Sequence, residues 1–557
     1  MDDAIGDRRC DDGIGGAGPE PAGGDNAGSH VVSPGPDLRR RRLLAAAAGA
    51  GGLLGGCSVA GPPGPGRTAA SRPQGPWPFS LGVASGYPSP DGVVIWTRLL
   101  ADAPQTLPRA PIPVRWELAL DEPMRSVVAR GEVTASPSEG HAVRVELDGL
   151  EPARHYWYRF TSLGHRSRTG RTRTLPRPGD PTGRLRIAVA SCQNREHGSF
   201  AAYRHIVAAD PDLVVHLGDY IYEASWGTLV RPLGLPEART LADYRERHAV
   251  WKRDPLLQEA HARHPWVMVW DDHEVSNDYA GASPERITPP EEFLPRRAAA
   301  YQAYYEHMPM PRRMAPRGPD MRIFDTAQVG TLATLHLLDW RQYRTPQACP
   351  LPGRAGATAV MPGRCPDLLD PGRTLLGAAQ ERWLDRRFAE SGTSWNLVAQ
   401  QSLMAPLWLP GREDAPARVR TDGWDGYPGA RRRLLESLTA HRVSNPVILG
   451  GDLHAFFVAD VRADVGEGSP VAATEFVTTS ISSQASDAAH YAALRAANPH
   501  LRHADGSRRG YLLLTLHPDR LEADLMGLDD VTRDDSGIGR QARFVVEAGR
   551  PGASRIG

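Results

Sequence analysis

The segment Asp212–Tyr222 reads DLVVHLGDYIY. Its first six residues are rich in apolar and β-branched side chains and are followed by Gly218, a pattern that predicts a short buried strand. Asp219 and Tyr222 come next, on a loop where a carboxylate and a phenol can reach one cation. A hard trivalent ion such as Fe(III) makes the phenol a useful ligand, because it displaces the Tyr proton at neutral pH. The segment predicts either an ordinary turn after a core strand or one side of a metal site.

Three further apolar runs end in polar residues in the same way. They span residues 185–190, 266–270 and 446–449. The polar residues that follow these runs are Cys192 and Asn194, then Asp271, Asp272, His273, Glu274, Asn277 and Asp278, and finally Asp452 and His454. Ligands bind at the carboxyl ends of the strands in an α/β sheet. We therefore expect residues from all four segments to meet in one site.

These motifs resemble those of the calcineurin-like metallophosphoesterase superfamily, which includes the purple acid phosphatases. Residues 218–222 are similar to its Gly-Asp-x-x-Tyr block, residues 271–274 resemble a variant of Gly-Asn-His-Glu, and residues 451–454 a variant of Gly-His-x-His. Cys192 stands where the superfamily usually has Asp. A cysteine at this place resembles the variant found in PhoD-type alkaline phosphatases. The resemblance extends over residues 77–545. Its other blocks are residues 241–245, 297–306 and 338–344.

The resemblance implies an α+β fold over residues 177–545, in which two mixed β-sheets pack face to face with helices outside. Helical patterns separate the apolar runs at residues 200–209, 241–250 and 376–389. The late strand-like runs at residues 474–479 and 511–517 are expected to be antiparallel. Residues 546–557 are predicted to form a tail.

Residues 79–176 predict a small β-sandwich that precedes the catalytic part. Short strand-like runs alternate there with turn signals. Residues 147–158 resemble the late strands of fibronectin type III-like domains. No catalytic constellation lies in this part, so we expect it to act as a packing partner; carbohydrate or cell-wall binding is the alternative.

The resemblance also assigns metal ligands residue by residue. Asp219 would bridge two metals, since a carboxylate has two oxygens to share. The remaining ligands of Fe(III) would be the thiolate, phenolate and imidazole of Cys192, Tyr222 and His454. The ligands of Ca²⁺, which the PhoD type uses, would be the oxygen donors Asp272, Asn277 and Asp452. Related enzymes supply two more histidines to the second metal. Asp452 replaces one of them and residues 398–401 offer none, which favours Ca²⁺ over Zn²⁺ or Mn²⁺.

Two residues are candidates for direct contact with the substrate. His273 would lie near the leaving-group oxygen as a proton donor, or alternatively would orient a neighbouring carboxylate. Arg245 would clamp phosphate, because a guanidinium matches phosphate with two hydrogen bonds; the alternative is an arginine on an exposed helix face. Arg247 would point elsewhere on the same helix, so at most one of the two arginines should contact phosphate.

The implied activity is the release of phosphate from phosphomonoesters and phosphodiesters, by in-line attack of a metal-bound hydroxide. A Gly-x-Ser-x-Gly nucleophile motif is missing from the sequence, so no covalent phosphoenzyme is expected. One alternative is a hydrolase of phosphodiesters only, acting on teichoic acid or phospholipid. Another is a secreted binding protein with a structural metal cluster. Specificity is expected to lie in the loops at residues 223–240 and 405–430.

Composition restricts the class of protein. A chain of 557 residues predicts two domains with appendages. The formal net charge of zero argues against a nucleic-acid scaffold, which would carry a basic excess. Lys252 is the only lysine, so the abundance of arginine reflects composition rather than function. The sequence has no apolar run of about 18 residues that would predict a stable membrane span. We expect a monomer.

The N-terminal residues 1–57 predict a leader. Arginines at positions 39–42 precede two leucines and a short apolar run, which indicates a signal peptide of the twin-arginine type and hence the twin-arginine translocase as a partner. An ordinary secretory signal is the alternative. Cys57 ends a Leu-Gly-Gly-Cys box that resembles a lipoprotein processing site, through which an acyl chain would anchor the protein. Residues 58–78 form a Pro/Gly linker. The expected location is the periplasm or the cell exterior.

Cys349 and Cys365 are the only other cysteines after the leader besides Cys192. A loop rich in Pro and Gly joins them. In an oxidising compartment these two residues are expected to form a disulfide.

Overall fold

The computed structural model describes residues 77–101, 106–410, 417–463 and 468–556. The predicted leader at residues 1–57, with its arginines and Cys57, lies outside the described residues, and so does nearly all of the predicted linker. Within the described ranges, no helix combines the length and apolar character needed to cross a membrane.

In the described part of the chain, strands lie toward both ends and seven α-helices lie between them. The strands are β1 (Val83–Gly86), β2 (Val93–Arg98), β3 (Ile112–Ala119), β4 (Val127–Ala135), β5 (Ala142–Leu147), β6 (His155–Ser162), β7 (His165–Arg166), β8 (Gly170–Arg173), β9 (Leu185–Ala190), β10 (Leu213–His216), β11 (Pro265–Met268), β12 (Asp325–Val329), β13 (Ala333–Leu337), β14 (Ala359–Val360), β15 (Trp395–Ala399), β16 (Val419–Arg420), β17 (Pro446–Gly450), β18 (Phe456–Arg462), β19 (Val471–Val477), β20 (Leu501–Asp505), β21 (Gly510–Leu516), β22 (Arg520–Leu528), β23 (Ile538–Glu547) and β24 (Arg550–Ile556). The helices are α1 (Ala201–Ala209), α2 (Leu241–Lys252), α3 (Pro255–Arg263), α4 (Pro290–His307), α5 (Gly377–Glu390), α6 (Pro428–Ala440) and α7 (Ala488–Ala497).

Two mixed sheets form the body of the protein. The ten-stranded sheet has the order β24-β23-β22-β21-β9-β10-β11-β1-β2-β5, and the seven-stranded sheet the order β12-β13-β15-β17-β19-β18-β20. Strands β9, β10, β11 and β1 run parallel to one another, as do β13, β15, β17 and β19. All four residues of β10 are buried, which explains its continuous apolar sequence: a central parallel strand is covered on both faces.

Alternate side chains of the seven-stranded sheet face two different cores, because side chains along a strand alternate between its faces. Leu397 of β15 belongs to a hydrophobic cluster that also contains Ile187 and Val215 of the ten-stranded sheet. The next residue, Val398, belongs instead to a cluster with Leu384 of α5. The two sheets therefore pack against each other, and helices cover the outer face of the smaller sheet.

The helices begin where the sequence supplies caps. At the start of α2, the Thr240 hydroxyl accepts a hydrogen bond from the Asp243 amide, and the Asp243 carboxylate accepts one from the Thr240 amide. Asp254 caps α3 through the amides of its first turn, and Pro255 fits the first helical position because its missing N–H would have no partner there. These caps fix the starting points of two helices that pack behind the functional site.

The predicted β-sandwich at residues 79–176 is present as strands of two sheets that share one hydrophobic cluster, but the expectation that it is separate is corrected by the sheet topology. Strands β1, β2 and β5 belong to the ten-stranded sheet, where β1 lies parallel to β11. Only β3, β4, β6, β7 and β8 form a sheet of their own. An unpaired edge of β11 would leave its backbone groups without partners, and pairing with β1 satisfies them. Local alternation of apolar residues predicts strands but does not reveal which sheet they join.

In the C-terminal part, the expected tail is wrong, and the expected antiparallel strands are confirmed except for one neighbour of β19. Residues 546–557 do not form a tail, because β24 pairs with β23 as the edge strand of the large sheet. Its polar, exposed residues gave little strand signal. The run at 474–479 falls largely in β19, which is antiparallel to β18 but parallel to β17. The run at 511–517 corresponds to β21, which is antiparallel to both of its neighbours.

Candidate metal centre

The predicted site residues follow the carboxyl ends of four strands from the two sheets. Cys192 follows β9, Asp219 follows β10 and Asp272 follows β11, and these strands are adjacent and parallel in the large sheet. Asp452 follows β17 of the other sheet. The Cys192 amide donates to the Gly218 carbonyl at 3.0 Å, which links the first two loops directly. The structure thus brings the four segments together at one end of the packed sheets.

Gly218 is required by the turn that delivers Asp219. Its φ of 110° lies in a region that residues with a side chain rarely adopt. A Cβ atom at this position would lie 2.5 Å from the Cβ of Asp271. The loops after β10 and β11 therefore touch backbone to backbone, which places Asp219 beside Asp272.

One group of potential ligands contains Cys192, Asp219 and His454. A sulfur, a carboxylate oxygen and a ring nitrogen of these residues all lie within 4.8 Å of one another. The Tyr222 hydroxyl adjoins the group, 3.0 Å from Asp219 Oδ2 and 3.4 Å from His454 Nε2. All four residues predicted to surround Fe(III) are therefore next to each other.

A second group contains Asp219, Asp272 and His273, whose ligand atoms also lie within 4.8 Å of one another. Asp219 is common to both groups. Its Oδ2 accepts the Tyr222 hydroxyl, whereas its Oδ1 is buried without a hydrogen-bond partner among the described residues. A buried carboxylate oxygen without a partner is costly, and a cation would satisfy it. This donor set therefore fits a metal ion on each side of Asp219.

Asp452 lies near Asp272 and Cys192, whereas Asn277 is connected to these groups through Glu223, which accepts its backbone amide at 2.7 Å and pairs with His273. Asp452 Oδ2 accepts the Ser402 hydroxyl at 2.7 Å. Burial raises the pKa of Asp452 to about 6, and the nearby negative charge of Asp272 adds to the shift. Asn277 donates its side-chain amide to Glu285 Oε2 at 3.0 Å, so its carbonyl oxygen is the atom left for a cation. Both residues supply only oxygen, in keeping with a hard divalent ion.

The His454 ring is oriented by the backbone. Its Nδ1 donates to the Gln484 carbonyl, which leaves Nε2 as the unprotonated nitrogen on the Tyr222 side. Burial lowers the pKa of His454 to about 3, so the ring is a neutral ligand. Burial, together with the charge of Asp219, raises the pKa of the Cys192 thiol well above its usual value. A bound cation would reverse that shift, since a coordinating thiol is deprotonated.

His273 forms a buried pair with Glu223. Its Nδ1 lies 2.7 Å from Glu223 Oε2. Although burial opposes its charge, the carboxylates of Glu223, Asp272 and Asp219 raise the pKa of His273 well above its usual value. Burial also opposes the charge on Glu223, but His273 holds the pKa of that carboxyl at about 2. Both expectations for His273 stay open, because its ring meets the metal ligands on one side and a second carboxylate on the other.

The expectation that Arg245 clamps phosphate is corrected, because Glu306 already binds its guanidinium. Its Nε and Nη2 donate to the two oxygens of Glu306, each at 2.6 Å. This two-bond ion pair uses the geometry that phosphate would need. Arg247 points to the other side of α2, as expected for a residue two positions later, and donates to the Tyr222 carbonyl at 3.2 Å. Neither guanidinium is available to phosphate.

Sequence reasoning missed several residues that hold the site. Arg341 is fully buried, donates to Asp271 and to Asp422, and lies 3.4 Å from Asp272 Oδ1. It lies in block 338–344, which carried part of the resemblance without a stated role. Ser483 lies 2.7 Å from the Tyr222 hydroxyl. Its only signal was the run of hydroxyl residues after β19.

The predicted disulfide between Cys349 and Cys365 is confirmed, and Cys192 is a free, buried thiol. The loop that the disulfide closes reaches the site, because the Ala357 amide donates to Asp278 Oδ2 at 3.0 Å.

Comparisons with known proteins agree with these motifs. Residues 187–525 match the family described as PhoD-like phosphatase, and residues 66–176 match the N-terminal domain of PhoD-like phosphatases. Alkaline phosphatase D of Bacillus subtilis (strain 168) is 40% identical over 492 residues, which cover 86% of this chain and 82% of that protein. Purple acid phosphatase 23 of Arabidopsis thaliana is 26% identical over 147 residues, or 25% of this chain and 31% of that protein. A solved structure described as "Structure of PhoD" has 40% identity and a TM-score of 0.81 and covers 86% of this chain and 92% of that one. The chain therefore belongs to the PhoD-like phosphatase family of phosphoesterases.

Proposed function

We propose that this chain is an exported phosphoesterase that releases phosphate from phosphomonoesters and phosphodiesters at a centre of Fe(III) and Ca²⁺. The observation that carries the proposal is the carboxylate of Asp219. It belongs to both groups of potential ligands, and its Oδ1 is buried without a partner among the described residues. A carboxylate that must face two cations explains both facts.

The residues would divide between the two ions by chemical softness. The thiol, phenol and imidazole lie on one side of Asp219 and suit Fe(III); they are Cys192, Tyr222 and His454. The oxygen donors would hold Ca²⁺ on the other side, where Asp272 shares a ligand group with Asp219; they are Asp272, Asn277 and Asp452. Bound there, the cations supply Lewis-acid stabilisation of the charge that develops on the phosphoryl and leaving-group oxygens.

The chain's own side chains would orient the substrate and move one proton. Glu223 holds the Nδ1 proton of His273, which leaves the other ring nitrogen to donate a proton to the leaving-group oxygen. Gln484 holds His454 in the tautomer that binds a metal through Nε2. Arg341 balances the negative charge of the acidic side, because it pairs with Asp271, Asp272 and Asp422.

We extend the proposal to architecture and location. Residues 177–545, which supply most strands of the two packed sheets, would be a calcineurin-like catalytic domain. The N-terminal strands at 79–176 would be a fibronectin type III-like packing partner. The protein would be monomeric and would leave the cytoplasm through the twin-arginine translocase, with Cys57 as an anchoring site if it is lipidated. Replacing Arg40 and Arg41 with Lys tests this route, because the translocase reads the arginine pair; unchanged export would exclude it.

The test of the metal centre is colour and metal content. Purified wild-type protein should contain iron and calcium by elemental analysis and should absorb visible light through phenolate-to-iron charge transfer. Tyr222→Phe should lose that band and at least about 100-fold in kcat/KM, since loss of an outer partner of a ligand already costs about 10- to 100-fold. Tyr304→Phe is the matched control: this phenol is also buried, and its hydroxyl has no partner among the described residues. It should keep colour and activity.

Chromogenic monoester and diester substrates separate the remaining alternatives. Turnover of both, lost to a chelator and restored by calcium, supports the proposal. Turnover of the diester alone would restrict the protein to phosphodiesters. An iron-containing protein that turns over neither substrate would be a binding protein with a structural cluster. A colourless, iron-free preparation with full activity in chelator would contradict the proposal.

A further inference from the structure

The segment of residues 222–236, here called the site loop, carries Tyr222 and forms neither helix nor strand. Two charged residues lie beneath it. Arg247 is 1% exposed and Glu196 is 0% exposed. Their closest charged atoms, Arg247 Nη1 and Glu196 Oε2, are 3.9 Å apart, so the pair is loose. Most of the hydrogen bonds of both side chains go to the site loop.

Arg247 binds the two ends of the site loop. Its Nη1 donates to the Tyr222 carbonyl at 3.2 Å. Its Nη2 donates to the carbonyls of Leu235 and Pro236 at 3.1 and 2.7 Å. The planar guanidinium spans positions that a lysine ammonium could not bind together. The start and the end of the loop are therefore fixed to one side chain of α2.

Glu196 binds the middle of the site loop. Its Oε2 accepts the Ser225 hydroxyl at 2.7 Å, and its Oε1 accepts the Leu233 amide at 2.8 Å. Its backbone carbonyl accepts the amides of Val230 and Arg231 at 2.6 and 3.0 Å. The site loop belongs to no helix or sheet, so its backbone amides need hydrogen-bond acceptors from elsewhere. Glu196 provides acceptors for three of them.

The loop held in this way presents two aromatic rings to the centre. The Tyr222 hydroxyl meets Asp219 at 3.0 Å. The Trp226 ring is nearly parallel to the rings of His273 and His454, with angles of 10° and 15° and centroid distances of 6.5 and 6.1 Å. One side chain of the loop thus touches the predicted iron side, and another borders both histidines.

We propose that the Arg247–Glu196 pair is a positioning device of the site: it holds Tyr222 and Trp226 against the metal ligands, and neither charged residue touches substrate. The inference rests on the proposed function only for the consequences in catalysis. A buried ion pair is weak evidence for stability, because desolvation offsets its attraction. Its value here is the five side-chain hydrogen bonds to the site loop, beside two more at the Glu196 carbonyl, and the place that they give to Tyr222.

The variants that test this are Arg247→Met and Glu196→Met, which remove the side-chain hydrogen bonds to the site loop, with Arg245→Met as the matched control. Arg245 lies on the same helix and forms an ion pair with the buried carboxylate of Glu306, but binds nothing in the site loop. Losing either pair leaves a buried charge without its partner, so a fall in melting temperature is expected in the control as well. Stability alone therefore does not decide the question.

Three measurements decide it. Hydrogen exchange of the metal-free protein, followed by mass spectrometry, should become at least about 10-fold faster over residues 223–236 in both test variants and stay unchanged in the control. In the metal-loaded protein, the visible band should shift or weaken in Arg247→Met. The value of kcat/KM should fall by about 10- to 100-fold in both test variants but not in the control.

The outcomes separate this inference from the proposed function. The positioning role would be overturned if the site loop of both test variants exchanged hydrogen at the wild-type rate and kcat/KM were unchanged. This outcome would hold even if the protein is an iron-containing phosphoesterase. Faster exchange confined to Arg247→Met and Glu196→Met supports the role, because that measurement needs neither metal nor activity. Equal loop release in Arg245→Met would also overturn it, since the effect would then be general destabilisation.

Discussion

At the scale of single residues, four of the predicted ligands adopt a backbone conformation that L-residues avoid. The φ angles of Cys192, Asp219, Asp452 and His454 are 55°, 55°, 64° and 55°. Each left-handed residue costs roughly 1–2 kcal/mol, and such a conformation persists only where its surroundings enforce it. Glu274 is one such constraint, because its carboxylate accepts the Asp219 amide at 3.1 Å. With these backbone conformations, three of the four side chains, those of Cys192, Asp219 and His454, meet in one group of potential ligands.

The two expected roles of His273 predict different effects of the leaving group on kcat/KM. A proton donor matters most when the leaving alcohol is a strong base, and general acid catalysis contributes about 10²- to 10⁴-fold. We expect His273→Asn to lower kcat/KM by about 100-fold or more for alkyl phosphate esters and by less than about 10-fold for p-nitrophenyl esters. Steady-state kinetics on both ester types measure this. An equal loss on both would show that His273 orients a carboxylate instead.

At the scale of elements, the decisive feature is the turn between β10 and its loop. Gly218→Ala adds a Cβ atom that meets Asp271 Cβ at 2.5 Å, at a position where φ is 110°. We expect a loss of roughly 2–5 kcal/mol in the free energy of unfolding, from backbone strain and overpacking together. We also expect lower activity, because the Asp219 loop is displaced. Chemical denaturation and kinetic assays measure the two effects.

Gly149→Ala provides the matched control for that turn. Its φ of 68° is also left-handed, but a Cβ there meets no atom within 4 Å. Gly149→Ala should lower the free energy of unfolding by about 1 kcal/mol, the cost of a left-handed backbone at a residue with a side chain, and should leave kcat/KM unchanged. Equal losses in the two variants would contradict the importance of the contact between the β10 and β11 loops.

The sequence predicted the elements that are apolar on both faces and missed what depends on distant partners. Strands β9, β10, β11 and β17 lie within about two residues of their predicted positions, because continuous β-branched runs are typical of buried strands. The ion pair that occupies Arg245 involves Glu306, 61 residues away, and Ser483 lies 261 residues from Tyr222. No local pattern contains such contacts. The residues of the centre were predictable because each follows a strand; the residues that hold them were not.

At the scale of the whole molecule, both ends of the described chain join the body of the protein. Strand β1 pairs with β11, whose carboxyl end leads to Asp272. At the other end, the Gly552 amide of β24 donates to the Thr474 hydroxyl of β19 at 2.8 Å, so the edge strand of the large sheet also contacts the small one. The N-terminal and C-terminal segments therefore support the sheets that hold the centre, and are not appendages to it.

The only lysine of the chain gives the whole molecule a testable pH dependence. Lys252 is 2% exposed, and its Nζ lies 3.4 Å from His261 Nε2 and 4.6 Å from the centre of the Trp96 ring. Burial lowers its pKa from 10.5 to about 7. Between these two values the unfolded chain binds a proton that the folded chain does not, so this residue makes the protein more stable as pH rises.

Lys252→Met removes this proton linkage. Below the folded pKa of about 7 the wild type keeps a buried charge, and the variant should be the more stable protein by its widest margin. The margin should narrow by up to about 1.4 kcal/mol per pH unit as pH rises above about 7, because deprotonation removes the buried charge. Urea denaturation of both proteins from about pH 6 to about pH 9, at one fixed metal content, measures the difference and cancels the shared effect of pH on the metal ligands. A margin that does not change with pH would mean that Lys252 stays protonated in the folded state, held by the Trp96 and Tyr220 rings.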